Sequence, residues 1–165
     1  MRVLVVEDSA SMRSFVRSAL ESEPSFDEVE VVEAASGFDA LRLLPRGPYQ
    51  LVITDINMPD INGLELLRFI RTSARHPDVP VLIISTQRSE RDRERGLALG
   101  ATGYLVKPFS AEALCEEVAR QIRAADDAAQ GSNAPQGSNA PPDGALAEPK
   151  PGAAGRAGDE GEPDG

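Results

Sequence analysis

Cysteine is nearly absent from this 165-residue chain. Cys115 stands alone, which excludes a disulfide framework and a cysteine-based zinc site, and as a small hydrophobe it is expected inside the last helix. Long apolar runs are absent too, and none approaches the roughly 20 residues of a membrane span. The N-terminus opens straight into a strand-like segment, with neither the basic start nor the apolar stretch of a signal peptide. A soluble, cytoplasmic protein without a membrane partner is expected. Positive charge is scarce, with 17 Lys and Arg against 27 Asp and Glu and a net charge of −10. That balance argues against nucleic acid as a partner. Histidine is represented by His76 alone, in Ala74-Arg75-His76-Pro77. Without the apolar stripe of a phosphorylated histidine helix around it, it reads as an exposed loop residue.

Large apolar residues are also missing from one end. Beyond Asp126 the only one is Leu146, and the last forty residues hold eight of the 14 glycines and six of the 13 prolines. They carry eight acids against Lys150 and Arg156. Such a segment cannot bury enough surface to offset about 1–2 kcal/mol of backbone entropy per residue. Within it Gln130–Pro135 recurs unchanged as Gln136–Pro141, a low-complexity duplication too short for a solenoid. The chain therefore divides into a folded domain, 1–125, and a disordered Pro/Gly/Ala-rich acidic tail, 126–165.

Within 1–125, four short apolar runs each end in a chemically active residue. Arg2–Val6 leads into Glu7-Asp8, Leu51–Thr54 into Asp55, Val81–Ile84 into Ser85-Thr86, and Gly103–Val106 into Lys107-Pro108. Runs of this length, rich in Val, Ile and Leu, read as strands buried on both faces. Val29–Ala34 is a more polar fifth strand, expected at a sheet edge. Helical patterns lie after each strand, at 9–20, 36–44, 63–73, 89–99 and 110–125. Phe38 is expected inward on the second and Phe69 on the third. The fourth is dense in charge and should be mostly exposed, with Gly100 as its stop; the last starts at a Ser110 N-cap. Five β-then-α repeats imply a doubly wound α/β fold, a parallel sheet of order 2-1-3-4-5 covered by five helices.

Parallel strands open their C-terminal ends onto one crevice. Glu7, Asp8, Asp55, Ser85 and Lys107 would meet there. A carboxylate such as Asp55 can accept a phosphoryl group as an acyl phosphate, but its charge repels the incoming group. Glu7 and Asp8 would worsen that repulsion unless they hold a divalent cation, and an all-oxygen ligand set suits Mg²⁺. Lys107 would add a second positive charge and Ser85 a hydroxyl donor. Transfer of this kind is mostly positioning and charge neutralisation.

The stretches Val3–Ser9, Leu51–Gly63, Ile83–Thr86 and Gly100–Phe109 together resemble the receiver domain of two-component response regulators, over residues 2–124. Ser9–Arg13, Asn57-Met58-Pro59 and Tyr104 look most like the chemotaxis CheY type. The resemblance implies a flavodoxin-like fold and Asp55 as phosphoacceptor from a histidine kinase. It implies Mg²⁺ on Asp8, Asp55 and the backbone carbonyl of Asn57, with Glu7 assisting through water. It also implies Ser85 and Tyr104 as a switch pair, a cis Lys107–Pro108 bond, and a downstream protein target on the face made from residues 89–124. Thr86 departs from the small residue common beside the switch hydroxyl, which bears on phosphorylation rates. A monomer without a separate output enzyme is expected, since no output domain follows residue 125. A phosphotransfer intermediate or phosphate sink is the alternative. A phosphatase using an aspartyl phosphate would want a second Asp two residues after Asp55, where Asn57 cannot transfer a proton.

Overall fold

The computed structural model describes residues 1–86 and 90–131. Five strands alternate with five helices: β1 (Arg2–Val6), α1 (Ala10–Glu21), β2 (Glu30–Ala34), α2 (Gly37–Leu43), β3 (Leu51–Asp55), α3 (Gly63–Thr72), β4 (Val81–Ser85), α4 (Glu90–Ala98), β5 (Gly103–Val106) and α5 (Ala111–Gly131). All neighbouring strands are parallel, in the order β2-β1-β3-β4-β5. The three central strands are buried along nearly their whole length, and β2 and β5, the edges, are the less buried ones. This is the doubly wound arrangement that the β-then-α alternation predicts.

Two apolar cores flank the sheet, because successive strand side chains point to opposite faces. One face puts Val3, Val5, Ile53, Leu82 and Ile84 against Val16 and Leu20 of α1 and Leu114 and Val118 of α5. The other puts Leu4, Val6, Val52 and Ile83 against Leu44, Leu66, Leu67 and Ile70.

Helix starts are capped close to where the sequence places them. Ser9 and Ser36 accept bonds from Met12 N and Asp39 N, and Ser110 Oγ from Ala113 N. Asn62 and Glu65 form a reciprocal capping box on α3. Gly100, at φ 99°, ends the α4 segment in the left-handed conformation. Ser89, the expected first residue of that helix, lies outside the described residues.

Some expectations fail, and helix geometry explains most of the failures. Phe38 is 55% exposed and Phe69 is 52% exposed rather than inward. The inward stripes run Gly37-Ala40-Leu41-Leu44 and Gly63-Leu66-Leu67-Ile70, each at i, i+3, i+4, i+7, and each phenylalanine sits off that spacing. Conversely, Gln121 occupies the α5 stripe and is 3% exposed, its amide donating to Thr102 O at 2.8 Å. His76 is half-buried, not an exposed loop residue: Nε2 lies 2.9 Å from Leu44 O and the ring packs near Tyr49. The domain boundary expected after 125 falls inside α5, which runs on to Gly131. Alanine, aspartate and glutamine sustain those last turns without burying anything. The rest of the tail lies outside the described residues. Among the described residues no helix is long and apolar enough to cross a membrane.

Candidate functional site

Glu7 follows β1, Asp55 closes β3, Ser85 closes β4 and Lys107 follows β5, so the parallel sheet delivers all four to one edge. Asp8, one residue beyond Glu7, is exposed at the rim. Carboxylate oxygens of Glu7, Asp8 and Asp55 lie within 4.8 Å of one another. Two of these acids are deeply enclosed: Glu7 is 1% exposed and Asp55 4%. Buried carboxylates of this kind need compensating charge or hydrogen bonds.

Lys107 supplies the charge. Its Nζ lies 2.7 Å from Glu7 Oε2 and 3.3 Å from Asp55 Oδ2. Glu7 Oε1 accepts from the Ser9 amide at 3.1 Å, so both oxygens of Glu7 are occupied. Asp55 differs. Its Oδ1 is buried, and among the described residues nothing donates a hydrogen bond to it. An ionised oxygen left open in a protein interior is costly, and it marks where a ligand belongs.

The protonation states follow from the same contacts. Burial pushes the Glu7 carboxyl above its ordinary range; the Lys107 and Ser9 hydrogen bonds oppose the rise, and the Asp55 charge adds to it. For Lys107, burial works against the charged form, yet the hydrogen bond to Glu7 and the charge of Asp55 outweigh it and hold the ammonium above its usual value. Lys107 therefore stays a cation inside the pocket.

Local backbone shapes the pocket. The Lys107–Pro108 bond is cis, as expected, and Lys107 N donates to Ser85 O at 2.8 Å. Gly63, the last residue of the Asp55 stretch, opens α3 where a Cβ would collide with the Asp55 carbonyl. Asn57 is exposed in the loop between. Ser85 is fully buried. Tyr104 is half-buried and pairs with Ile83, two positions before Ser85. The period-2 pleat therefore puts Ser85 and Tyr104 on the same sheet face. Glu7, Asp8, Asp55 and Lys107 are thus brought together, with Ser85 at the end of the neighbouring strand. The all-oxygen donor set, with one buried oxygen unfilled, fits a hard divalent cation.

Arg13 was not anticipated. It reaches back from α1, and Nη1 donates to the carbonyls of Glu7 at 2.7 Å and Asp8 at 3.2 Å. The one available signal was a cation early in a helix, where the macrodipole disfavours it unless something else holds it.

Residues 3–119 match the family described as the response regulator receiver domain. The chain belongs to this family. A chemotaxis protein CheY homolog of Campylobacter jejuni is 34% identical over 119 residues, which span 72% of this chain and 89% of that protein. A protein of Picosynechococcus sp. named "Probable transcriptional regulatory protein" is 43% identical over 126 residues, and this chain spans 47% of its length. Among solved structures, chemotaxis protein CheY4 of Vibrio cholerae is similar at 35% identity and a TM-score of 0.66, covering 72% of this chain and 96% of that one. The protein is thus a CheY-like receiver domain of two-component signalling, a class whose members act as signalling domains rather than separate output enzymes.

Proposed function

We propose that this receiver accepts a phosphoryl group on Asp55 from a histidine kinase and relays the event to a protein target, in a chemotaxis-like role in the cytoplasm. The observation that carries the reading is the buried Asp55 carboxylate with Oδ1 open, Lys107 Nζ beside Oδ2, and two further carboxylates within reach. An Asp55 oxygen forms the new O–P bond as the N–P bond of the donor phosphohistidine breaks. The electron pair returns to the imidazole nitrogen, which takes up a proton. Lys107 neutralises charge on the phosphoryl oxygens, and the Ser85 hydroxyl donates to one of them.

Mg²⁺ would be held by Asp8, Asp55 and the Asn57 carbonyl, and when bound it would screen the carboxylates from the incoming anion. Glu7 acts from the side, since its oxygens are already engaged by Ser9 and Lys107. As Ser85 moves toward the phosphoryl group, Tyr104 turns inward along the same sheet face. The surface shared by α4, β5 and α5 then changes shape for the target. The phosphoryl group shifts this equilibrium only by its differential contacts in the two states.

The test is intact-mass measurement after incubation with Mg²⁺ and a small phosphodonor. Wild type should gain one acid-stable, base-labile phosphoryl group, and Asp55→Asn none. An Asp55→Asn protein modified at the wild-type rate would overturn the assignment.

A further inference from the structure

Arg13 lies outside the reacting groups, yet it is the side chain that ties down the turn carrying Glu7 and Asp8. Its side chain is only 16% exposed and makes contacts in two directions. Nη1 donates to Glu7 O at 2.7 Å and Asp8 O at 3.2 Å. Nε faces Glu33 Oε2 at 3.6 Å, on β2. On its other side Glu33 Oε1 faces a second cation, Arg17 Nε, at 3.0 Å, an ion pair without hydrogen-bond alignment. The backbone continues the same tie, since Glu7 N donates to Ala34 O at 3.1 Å, one residue past Glu33.

From these contacts we infer that Arg13, oriented by Glu33, is a positioning residue for the cation site: it locks the two peptide carbonyls after β1 so that the Asp8 carboxylate faces Asp55. This rests on the metal reading above. Asp8 needs such a device because its side chain is exposed at the rim, with few neighbours to hold it. Nη1 alone spans the two successive carbonyls while Nε of the same rigid plane faces Glu33, so the guanidinium ties the turn to β2 at two points. A single-point ammonium cannot reproduce that geometry. Partners of this kind, one step behind the ligands, change metal affinity about 10–100-fold when removed.

The sign of the effect separates this role from simple charge. Arg13 is a cation close to the acidic cluster. If charge alone mattered, removing it would tighten binding of a second cation. Positioning demands the reverse.

The experiment is a Mg²⁺ titration of the full chain without phosphodonor, followed by the amide shifts of Asp8 and Asn57, with the Glu7 and Asp8 carbonyl-carbon shifts recorded before metal is added. Arg13→Ala should move those carbonyl shifts and weaken Mg²⁺ binding about tenfold. Arg13→Lys, with the charge kept and the fork lost, should recover little. Glu33→Gln should weaken binding by about threefold and add nothing to Arg13→Ala, because the two act as one unit. Tighter or unchanged Mg²⁺ binding in Arg13→Ala, full recovery in Arg13→Lys, or additive effects of the pair would each overturn the inference. If Arg13→Ala fails to melt cooperatively, Arg13→Lys and Glu33→Gln carry the same test. An Asp8→Ala control keeps the two readings distinct. A lost response there beside an unchanged Arg13→Ala sinks only the positioning role, whereas an unchanged Asp8→Ala titration sinks the metal site and this inference with it.

Discussion

Asp55 and Arg71 are two enclosed charges at opposite ends of the fold, and their surroundings could hardly differ more. Arg71, near the end of α3, spends its guanidinium on the backbone: Nε and Nη2 donate to Gly100 O at 3.0 and 2.7 Å, and Nη1 to Pro77 O and Val79 O at 2.9 and 2.8 Å. Burial lowers its basicity, yet it remains charged because a guanidinium starts so high. Asp55, at the strands' C-terminal edge, shares one oxygen with Lys107 and leaves the other open. A charge whose hydrogen-bonding capacity is turned wholly on its own chain holds that chain together. A charge left partly open costs stability and is kept for a ligand. The same sheet carries both because ligands meet the ends of parallel strands, while the opposite end only has to be closed.

The sharpest way to break this comparison is to remove each charge in turn. Arg71→Ala should cost about 2 kcal/mol or more, because it orphans Gly100 O in the α4–β5 turn and Pro77 O and Val79 O in the α3–β4 loop. Its phosphorylation at Asp55 should persist below the lowered melting point. Asp55→Asn should do the opposite, abolishing phosphorylation while leaving stability equal or higher. Chemical denaturation of both variants checks this. A more destabilised Asp55→Asn would mean that the open carboxylate is structural after all.

A smaller effect is expected from Asp8→Ala. Removing one of three clustered carboxylates relieves repulsion that Lys107, paired with Glu7 and Asp55, offsets only in part in metal-free protein. The melting temperature should rise by a few degrees, a gain of about 1 kcal/mol, and the further change on adding Mg²⁺ should vanish. A melting temperature that still climbs with Mg²⁺ in this variant would place the cation elsewhere.

Glu7 allows a test through pH. Its folded pKa is raised, chiefly by burial. The stabilising contribution of a raised group is fully present below its unfolded value of about 4.5 and is lost as pH rises through the folded value. At neutral pH Glu7 therefore burdens the fold. Glu7→Gln should melt above wild type at pH 7, with the gap closing toward pH 4. Lys107 is raised as well, so its contribution holds up to its unfolded value near 10.5 and fades only above that. A gap that widens on acidification would show that the Glu7–Lys107 pair stabilises more than burial costs.

The smallest change should come from removing residues 132–165. With Leu146 as its one large apolar residue, this segment has little apolar surface to offer the domain. The melting temperature should move by less than the equivalent of about 0.5 kcal/mol. A drop of several degrees would show that the tail packs on the domain.

Much of this protein was readable along the chain because its strands advertise themselves. Val3–Val6, Leu51–Ile53 and Val81–Ile84 are apolar without alternation, as only strands covered on both faces are. Once five strand segments alternate with helices, the parallel order and the shared edge follow from chain connectivity. That is why Glu7, Asp8, Asp55, Ser85 and Lys107 could be assembled before any coordinate was known. Residue type alone misled at Phe38 and Phe69, where the helical spacing, also present in the sequence, assigns them outward. The burial of Gln121 carried no signal in the sequence, because it depends on a carbonyl at Thr102 that only the fold brings near.

What the sequence by itself determined, then, is which residues stand at the strand ends and hence which chemistry is available, since hydrophobic period and β–α alternation are local properties that sum to one topology. Only the tertiary structure decided how the charges pair: that Lys107 spans Glu7 and Asp55, that one Asp55 oxygen stays open, and that Arg13 reaches back to the turn bearing Asp8. Those contacts depend on ångström-scale distances between elements as many as 100 residues apart, and a one-dimensional pattern carries no information on that scale.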